Sequence, residues 1–290
     1  MPSTILITGA SGNVGWPLAQ QLQDDPVQLR LATRSGDEAE LTSSFDVVPF
    51  DFERPSTWDK ALAGVNRVFL MRPPAISDTK RYIRPFIHLM AERNIEHVVF
   101  LSLLGVNPAM PHYQVEQDLK ASGLSYTFLR AGFFMQNLTQ AYRADIQQRD
   151  EIALPAGQGR TSFIDTRDLA AVGRLGLLNP AAHRQAAYDL TGAQALNYDE
   201  VAAILSQELG REIRYRDLSF LAYWRKLRQE GKPPAMARVM LLINAIAWLG
   251  RAATRTQEVA RLLGREPIDL ATFVRDHRSD WLRDAQGAGS

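Results

Sequence analysis

A glycine-rich segment near the start of the chain has the residue types and spacing of a phosphate-binding loop. The run Gly9-Ala10-Ser11-Gly12-Asn13-Val14-Gly15 follows the apolar stretch Thr4–Thr8 and precedes an amphipathic stretch through Leu22. In such a strand–loop–helix unit, the first glycine permits a tight turn and the second lets backbone N–H groups approach a pyrophosphate. The third allows close packing of the helix on the sheet. We therefore predict dinucleotide binding, against the alternative of a glycine-rich turn without a ligand. The loop residues assigned to the cofactor are Gly9, Ser11, Gly12, Asn13, Val14 and Gly15.

An arginine after the second predicted strand bears on which dinucleotide binds. Arg34 stands where a carboxylate would bond the ribose 2′-hydroxyl of NAD and where an arginine pairs with the 2′-phosphate of NADP. We predict that Arg34 selects NADP(H), and the alternative is a solvated loop charge. The nearest acid, Asp37, lies further along the chain. Asp51, after the third strand, is predicted to contact the adenine, with a helix-capping turn as the alternative.

Alternating strands and helices in the first half predict a doubly wound parallel sheet. Several of the short runs are apolar nearly throughout, as expected of strands covered by helices on both faces. The predicted strands are Thr4–Thr8, Gln28–Thr33, Asp46–Phe50, Arg67–Met71, His97–Ser102 and Tyr126–Arg130. We expect an α/β fold with a dinucleotide-binding domain over residues 1–150. A smaller, helix-rich C-terminal lobe is expected over residues 151–290.

Composition and charge exclude several classes of protein. The 290 residues include 33 Lys plus Arg and 32 Asp plus Glu, a formal net charge of +1 that gives no electrostatic reason to expect nucleic acid or an anionic membrane. The absence of Cys excludes disulfides, thiolate metal sites and a cysteine nucleophile. The first residues show no signal-peptide pattern, and no apolar run reaches the roughly 20 residues of a membrane helix. We expect a cytoplasmic protein.

Five ordered motifs resemble the NmrA-like family of atypical short-chain dehydrogenases/reductases. The first is the loop Thr8–Gly15 together with Arg34. The others are His112-Tyr113-x-x-Glu116-x-x-Leu119-x-x-Ser122-Gly123-Leu124, Tyr126–Arg130 with Phe133–Leu138, Ser162–Asp168, and Tyr188–Gly192. The match runs from Thr4 to about Leu209 and is looser in the last helices. Several motifs in the expected order are more specific than one glycine loop.

The resemblance implies a Rossmann-type domain whose C-terminal substrate lobe is interleaved with it, parts of residues 151–192 returning to the sheet. It also implies NADP(H) as cofactor. Residues after the fourth and fifth strands line the cofactor in this family. Here these are Met71, Arg72, Pro73 and Ser102. Within this family, the chain looks like bacterial quinone and triphenylmethane-dye reductases, to which iminium reductases are related. The family also contains regulators that bind the dinucleotide without turnover.

The helix after the fifth strand carries only half of the usual catalytic pair of short-chain dehydrogenases. Their Tyr-x-x-x-Lys spacing places both side chains on one helix face, where Lys⁺ lowers the pKa of the tyrosine. Here Tyr113 is followed at that spacing by Gln117, which can hydrogen-bond a ribose but carries no charge. Tyr113 and the preceding His112 are the candidate catalytic acids. Packing or cofactor contact is the alternative for Tyr113, and a cap or core-edge hydrogen bond for His112.

The segment after the sixth strand is a candidate substrate site, because open α/β sheets bind ligands at the carboxyl ends of their strands. Phe133 would offer an aromatic wall to a flat substrate, with hydrophobic packing as the alternative. Gln136 and Asn137 are stronger candidates, because polar side chains there need partners. The histidines show no metal-ligand spacing, so we predict no metal site.

The leading hypothesis is an NADPH-dependent oxidoreductase. Without a strong local acid, hydride transfer is best suited to acceptors that spread or quench the incoming charge, such as quinones, dyes, iminium ions and enones. The alternative is a non-catalytic regulatory protein that senses NADP(H). The expected partner is a small aromatic or conjugated substrate, with no nucleic acid and no membrane, and a homodimer remains an option.

Overall fold

The computed structural model describes residues 2–35 and 45–282, which form two compact units. The first unit holds the described residues up to Ala131, Thr166–Leu190 and Arg261–Gly264. The second holds Gly132–Asp165, Thr191–Ala260 and the described residues from Arg265 onward. The chain therefore first leaves the sheet unit after Ala131, against residue 150 in the sequence prediction, and residues 166–190 return to it.

The described residues contain twelve strands and thirteen α-helices. The strands are β1 (Ser3–Thr8), β2 (Val27–Thr33), β3 (Asp46–Pro49), β4 (Arg67–Met71), β5 (His97–Leu103), β6 (Tyr126–Ala131), β7 (Phe133–Phe134), β8 (Glu151–Leu154), β9 (Thr161–Ile164), β10 (Ala186–Leu190), β11 (Ala195–Leu196) and β12 (Arg214–Asp217). The helices are α1 (Gly15–Leu22), α2 (Trp58–Leu62), α3 (Thr79–Tyr82), α4 (Arg84–Glu92), α5 (Pro111–Ala121), α6 (Arg143–Arg149), α7 (Thr166–Leu178), α8 (Pro180–His183), α9 (Tyr198–Leu209), α10 (Phe220–Gln229), α11 (Pro234–Trp248), α12 (Glu258–Leu263) and α13 (Leu270–Asp276). Short 3₁₀ turns lie at Pro55–Thr57, Met135–Asn137 and Arg278–Trp281.

The first unit is built on a seven-stranded sheet in the order β10-β6-β5-β4-β1-β2-β3. Every pairing in this sheet is parallel. Helices α1 and α7 cover one face, and helices α2 to α5 cover the other. The predicted doubly wound α/β fold is confirmed. The chain reverses its direction of strand addition between β1 and β4, which is where such sheets bind ligands.

Side chains alternate between the two faces along each strand, and this alternation fixes the site described below. On β4, Val68 and Leu70 belong to the core cluster that contains Val115 and Leu119 of α5. Phe69, between them, lies on the other face beside Gly173 of α7. The same rule places the even-numbered residues of β5 and β6, with Phe100 and Phe128, on the α5 face.

The second unit combines two small sheets with helices around its own core. One sheet has the order β11-β9-β7 and the other pairs β12 with β8. Helix α9 begins at a reciprocal capping box formed by Asn197 and Glu200, and it ends at Gly210 in the left-handed conformation. Strands β7, β9, β11 and β12 escaped sequence analysis because two to four residues are too few to show an alternating pattern.

No helix in residues 2–35 and 45–282 is long and apolar enough to span a membrane. The most apolar helix, α11, has 15 residues and buries Asn244.

Candidate cofactor and substrate site

The glycine loop is anchored to the neighbouring strand β4 by the last residue of β1. The Thr8 hydroxyl donates to the carbonyl oxygen of Phe69 at 3.0 Å and accepts from the backbone N–H of Met71 at 2.8 Å. Gly9 then turns the chain with a φ of +64°, and the N–H of Gly12 donates to the carbonyl oxygen of Gly9 at 2.9 Å. Residues 9–12 therefore form a tight turn at the carboxyl edge of the sheet.

The three loop glycines are required for different steric reasons. A Cβ on Gly9 would lie 2.1 Å from Cε of Met71, and a Cβ on Gly15 would lie 2.2 Å from the carbonyl oxygen of Gly9. At Gly12 the corresponding distance to that carbonyl is 3.1 Å. Gly15 was predicted to allow close packing of the helix on the sheet, whereas its closest neighbour is the loop itself. The loop backbone thus fills the space beside Gly12 and Gly15, whereas at Gly9 the nearest atoms belong to the Met71 side chain and the positive φ favours glycine.

Helix α1 begins at the end of this loop without a side-chain cap. Its N-cap residue, Val14, is buried, Asn13 is half-buried and Ser11 is exposed. The positive end of the helix therefore lies at the loop, as a phosphate site requires. Cofactor contact by these loop residues stays a prediction.

The two residues predicted to recognise the adenosine end differ in their environment. Arg34 follows β2 and is exposed, while Asp37 lies outside the described residues. Asp51 forms a local turn, in which its Oδ1 accepts from the N–H of Glu53 at 2.9 Å and its carboxylate lies 3.4 Å from Arg54. This is the turn that sequence analysis weighed against adenine contact. Both cofactor roles stay predictions.

Three polar side chains follow one another across the carboxyl ends of β4, β5 and β6. Ser102 is the register partner of Arg130, and Arg72 directly follows Met71, whose partner is Leu101. All three are even-numbered, like the residues of β4, β5 and β6 that face α5. Met71 is odd-numbered, so it points to the other face, and it lies over Gly9. The strand ends therefore present the row Arg72, Ser102 and Arg130 to helix α5.

Glu116 of α5 ties two members of this row together. Its carboxylate accepts from the Ser102 hydroxyl at 2.7 Å and from Arg130 at 3.0 Å and 2.7 Å. Asp189 of β10 adds a second carboxylate 3.8 Å from Arg130. The hydrogen bond to Glu116 raises the pKa of Arg130 above its ordinary value, against a smaller effect of burial. The predicted cofactor residue Ser102 thus has its hydroxyl engaged within the protein.

Glu116 and Arg130 are functional residues that the sequence prediction missed, although both lie in the family-like motifs. Their positions in the sequence could have indicated an ion pair. The carboxylate and the guanidinium both fall on the buried faces of their elements, and buried charges are almost always paired.

His112 lies one helical turn before Glu116 and contacts Arg72. Its Nε2 accepts from Nε of Arg72 at 3.4 Å. Burial, followed by the charge of Arg72, lowers the pKa of His112 to about 3. At neutral pH the imidazole is therefore uncharged and a weak proton donor. Its role as catalytic acid stays a prediction that this environment does not favour.

Tyr113 and Gln117 lie together on the half-buried face of α5, as their spacing of four residues requires. In the part of the chain that the structure describes, neither side chain makes a hydrogen bond or an ion pair. Among the described residues both groups are therefore available to a ligand, and residue 117 supplies no positive charge that could activate Tyr113. Their roles stay predictions.

The predicted substrate residues belong to the second unit. Phe133 pairs in register with Phe163, and the buried Gln136 donates from Nε2 to Oδ1 of the fully buried Asp165 at 3.1 Å. Asn137 is half-buried at the end of the same 3₁₀ turn. Gln136 therefore has a structural partner that sequence analysis did not foresee. Substrate contact by these three residues stays a prediction.

Residues 2–35 and 45–282 contain no group of three or more His, Asp or Glu side chains placed to hold a metal ion.

The sheet order and the glycine loop together define a Rossmann-like α/β protein. The sequence matches the NmrA-like family over residues 1–267, and the chain belongs to that family. It is 31% identical to the NAD(P)H azoreductase of Xenophilus azovorans over 281 residues, covering 94% of this chain and 97% of the relative.

Two solved structures show the same fold. The NADPH-dependent quinone oxidoreductase of Escherichia coli, crystallised with NADPH, has a TM-score of 0.83 and 24% identity over 94% of this chain and 99% of that one. The negative transcriptional regulator NmrA, crystallised with NADP, has a TM-score of 0.72 and 16% identity over 95% of each chain. The fold is thus found in an enzyme and in a regulator.

Proposed function

We propose that this protein is an NAD(P)H-dependent oxidoreductase that uses NADPH to reduce quinone-like or other conjugated, electron-poor small molecules. The enzyme class is supported by family membership and by the azoreductase relative, which matches nearly the whole chain. When bound, NADPH supplies a hydride, so that a quinone, NADPH and a proton give a hydroquinone and NADP⁺.

The environment of Tyr113 is the observation that carries the substrate class. No cation stands at residue 117, and the neighbouring His112 is neutral. A simple ketone builds negative charge on one oxygen and needs a strong donor or oxyanion site there. A quinone, azo dye, iminium ion or enone delocalises or neutralises that charge. Helix α5 then has to orient the reactants rather than protonate them, and the proton can come from solvent.

The chain's own groups have defined tasks in this proposal. The glycine loop and the amino end of α1 bind the pyrophosphate through backbone N–H groups. Arg34 pairs with the 2′-phosphate, and Gln117 and Tyr113 hydrogen-bond the nicotinamide ribose or the acceptor. The hydrogen bonds of Glu116 to Ser102 and Arg130 hold α5 against the strand ends, so that these contacts are placed in advance of binding.

A panel assay tests the proposed function. NADPH consumption is followed with a quinone, an azo dye, a triphenylmethane dye, an iminium salt and an enone, each compared with a simple ketone. We expect turnover of at least one conjugated acceptor and little with the ketone. Gly12→Val, which adds side-chain atoms beside the Gly9 carbonyl, is expected to remain folded by circular dichroism and to lose NADPH binding.

The opposite results have distinct meanings. NADPH binding without consumption in the whole panel would contradict the oxidoreductase assignment and favour the dinucleotide-sensing alternative. Undiminished NADPH affinity in Gly12→Val would show that the loop is only a turn.

A further inference from the structure

The carboxyl end of β4 holds a cation with no acidic partner among the described residues. Nη1 of Arg72 donates to the carbonyl oxygens of Pro73, Pro74 and Ile76 at 2.9, 3.3 and 2.5 Å. Nε donates to Nε2 of His112. All four acceptors are neutral. The guanidinium is therefore fixed in place, but its charge is not compensated.

This is unlike the other arginines whose pKa is displaced. Nearby carboxylates raise the pKa of Arg130, Arg149 and Arg214, whereas burial lowers the pKa of Arg72. Arg72 is half-buried, and moving part of a charge out of water without a counter-ion costs free energy. An uncompensated charge of this kind is expected mainly at functional sites, where a bound ligand supplies the opposite charge.

The unused hydrogen-bond donors of this region describe that ligand. Nη2 of Arg72 has no partner in the described part of the chain, so its two N–H groups are available. Nε2 of His112 accepts from Arg72, so the neutral ring carries its hydrogen on Nδ1, which is buried and also lacks a partner there. Nδ1 of His112 is closed to solvent, so the donors open to a ligand are the two N–H groups of Nη2 on Arg72. Such donors suit a group that only accepts, such as a carboxylate, sulfonate or phosphate.

The alternation of side chains along β4 indicates whether this anionic group belongs to the cofactor or to the electron acceptor. Met71 lies over Gly9 and faces the loop predicted to bind the pyrophosphate. Arg72 lies on the opposite face, beside the residue that precedes Tyr113 on α5. The phosphates of the dinucleotide are thus expected on the Met71 side. Arg72, which the resemblance counted among the residues lining the cofactor, lies instead on the α5 side, where Tyr113 and Gln117 are proposed to meet the nicotinamide ribose and the acceptor.

We propose that Arg72 forms a subsite for an anionic oxygen substituent of the acceptor, a carboxylate, sulfonate or phosphate. This inference rests on the proposed reductase function and narrows its substrates to conjugated compounds that carry such a group. Arg72 binds the substituent through Nη2, while Nη1 and Nε keep the guanidinium in a fixed orientation.

The kinetic test compares an acidic acceptor with its neutral derivative, methyl red and the methyl ester of methyl red. We expect the wild-type kcat/KM to favour the acid, and Arg72→Met to reduce the acid-to-ester ratio at least about tenfold. Arg72→Lys keeps the charge but loses the planar fork, and is expected to retain part of the preference. Arg81→Met removes an exposed arginine of α3 and is the matched control, with an unchanged ratio.

A binding measurement separates this inference from the proposed function. Calorimetry on the protein saturated with NADP⁺ is expected to show binding of benzenesulfonate and none of benzenesulfonamide, with binding lost in Arg72→Met. If no acceptor is turned over, the reductase assignment fails and this measurement still tests the subsite. Absence of benzenesulfonate binding to the wild type overturns the subsite whether or not Arg72→Met folds.

Two further outcomes also overturn the proposed subsite. An acid-to-ester ratio unchanged by Arg72→Met, together with unchanged NADPH binding, would show that the guanidinium only holds the loop at residues 73–76. Weakening of NADPH binding by tenfold or more, with that ratio unchanged, would assign Arg72 to the cofactor phosphates.

Discussion

Two arginines on the same face of the sheet, Arg130 near the end of β6 and Arg72 just after β4, have opposite environments. Glu116 and Asp189 lie beside Arg130, and the pKa of its guanidinium is raised. Arg72 meets carbonyl oxygens and a neutral imidazole, and its pKa is lowered. The difference arises on α5, where the partner of one arginine is Glu116 and the partner of the other, one turn earlier, is His112.

The comparison distinguishes Arg130, whose charge stabilises the fold, from Arg72, whose charge is proposed to bind a ligand. Arg130 completes a network whose donors and acceptors are engaged within the protein, so its contribution is to the stability of the first unit. Arg72 keeps two N–H groups and a full charge for another partner. Residue type and sheet position are the same in both cases, and the neighbouring helix decides the role.

The largest expected effect is on stability at the Arg130 end. Glu116 is 1% exposed, so Arg130→Met leaves a buried carboxylate without its main counter-ion. We expect a loss of about 3–5 kcal/mol in the free energy of unfolding, measured by urea denaturation at pH 7. The double variant Arg130→Met/Glu116→Met is expected to recover most of it. A loss below about 1 kcal/mol in the single variant would contradict the structural role.

A second effect concerns the neutral histidines, one of which contacts Arg72. Burial lowers the pKa of His97 to about 4 and that of His112 to about 3. The unfolded chain binds protons at these sites near pH 6.5 and the folded chain does not, so stability is full above pH 6.5 and falls as the pH is lowered. Between pH 7 and 5 we expect a loss of about 2 kcal/mol for each histidine.

Urea denaturation across that pH range measures this effect. His97→Gln and His112→Gln are each expected to flatten the dependence, and His88→Gln, at an exposed position, is the control. A stability that stays constant from pH 7 to 5 in the wild type would mean that both rings are protonated as readily in the folded chain as in the unfolded one.

The third effect extends the comparison to Arg34, the exposed arginine after β2. Pairing with a 2′-phosphate predicts that Arg34→Ala weakens NADPH binding by about 1–3 kcal/mol and NADH binding little. Fluorescence titration of both cofactors measures the difference, with Arg81→Ala as a second exposed arginine that should change neither. Equal loss for the two cofactors would remove Arg34 from 2′-phosphate recognition.

The smallest expected effect is at Tyr113, because residue 117 is Gln and not the lysine that would activate it. Tyr113→Phe should lower kcat/KM on a quinone-like acceptor less than about tenfold, under ~1.4 kcal/mol of transition-state stabilisation. Asn137→Ala and Gln136→Ala are expected to cost as much or more. In Gln136→Ala part of the loss is structural, because Asp165 loses one hydrogen bond. A thousandfold fall in Tyr113→Phe alone would identify Tyr113 as the acid, activated by a group other than residue 117.

Most of the fold and the glycine loop could be read from local patterns. Apolar runs gave the six leading strands, since a strand covered on both faces leaves a continuous signal in its own residues. The Gly9–Gly15 spacing predicted the loop because its constraints act within a few residues: Gly9 needs a positive φ, and Gly15 lies against the Gly9 carbonyl. The capping box at Asn197 and Glu200 is equally local.

The pairings between distant residues were decided only by the folded chain. Ser102 and Arg130 each lie 14 residues from Glu116, and Arg72 lies 40 residues from His112. Which of these groups meet depends on strand register and on how α5 is rotated over the sheet, and these are set by the packing of Phe100, Phe128 and Val115 in the core. Charge partners follow from that packing, so the contrast between Arg72 and Arg130 has no counterpart in any local pattern.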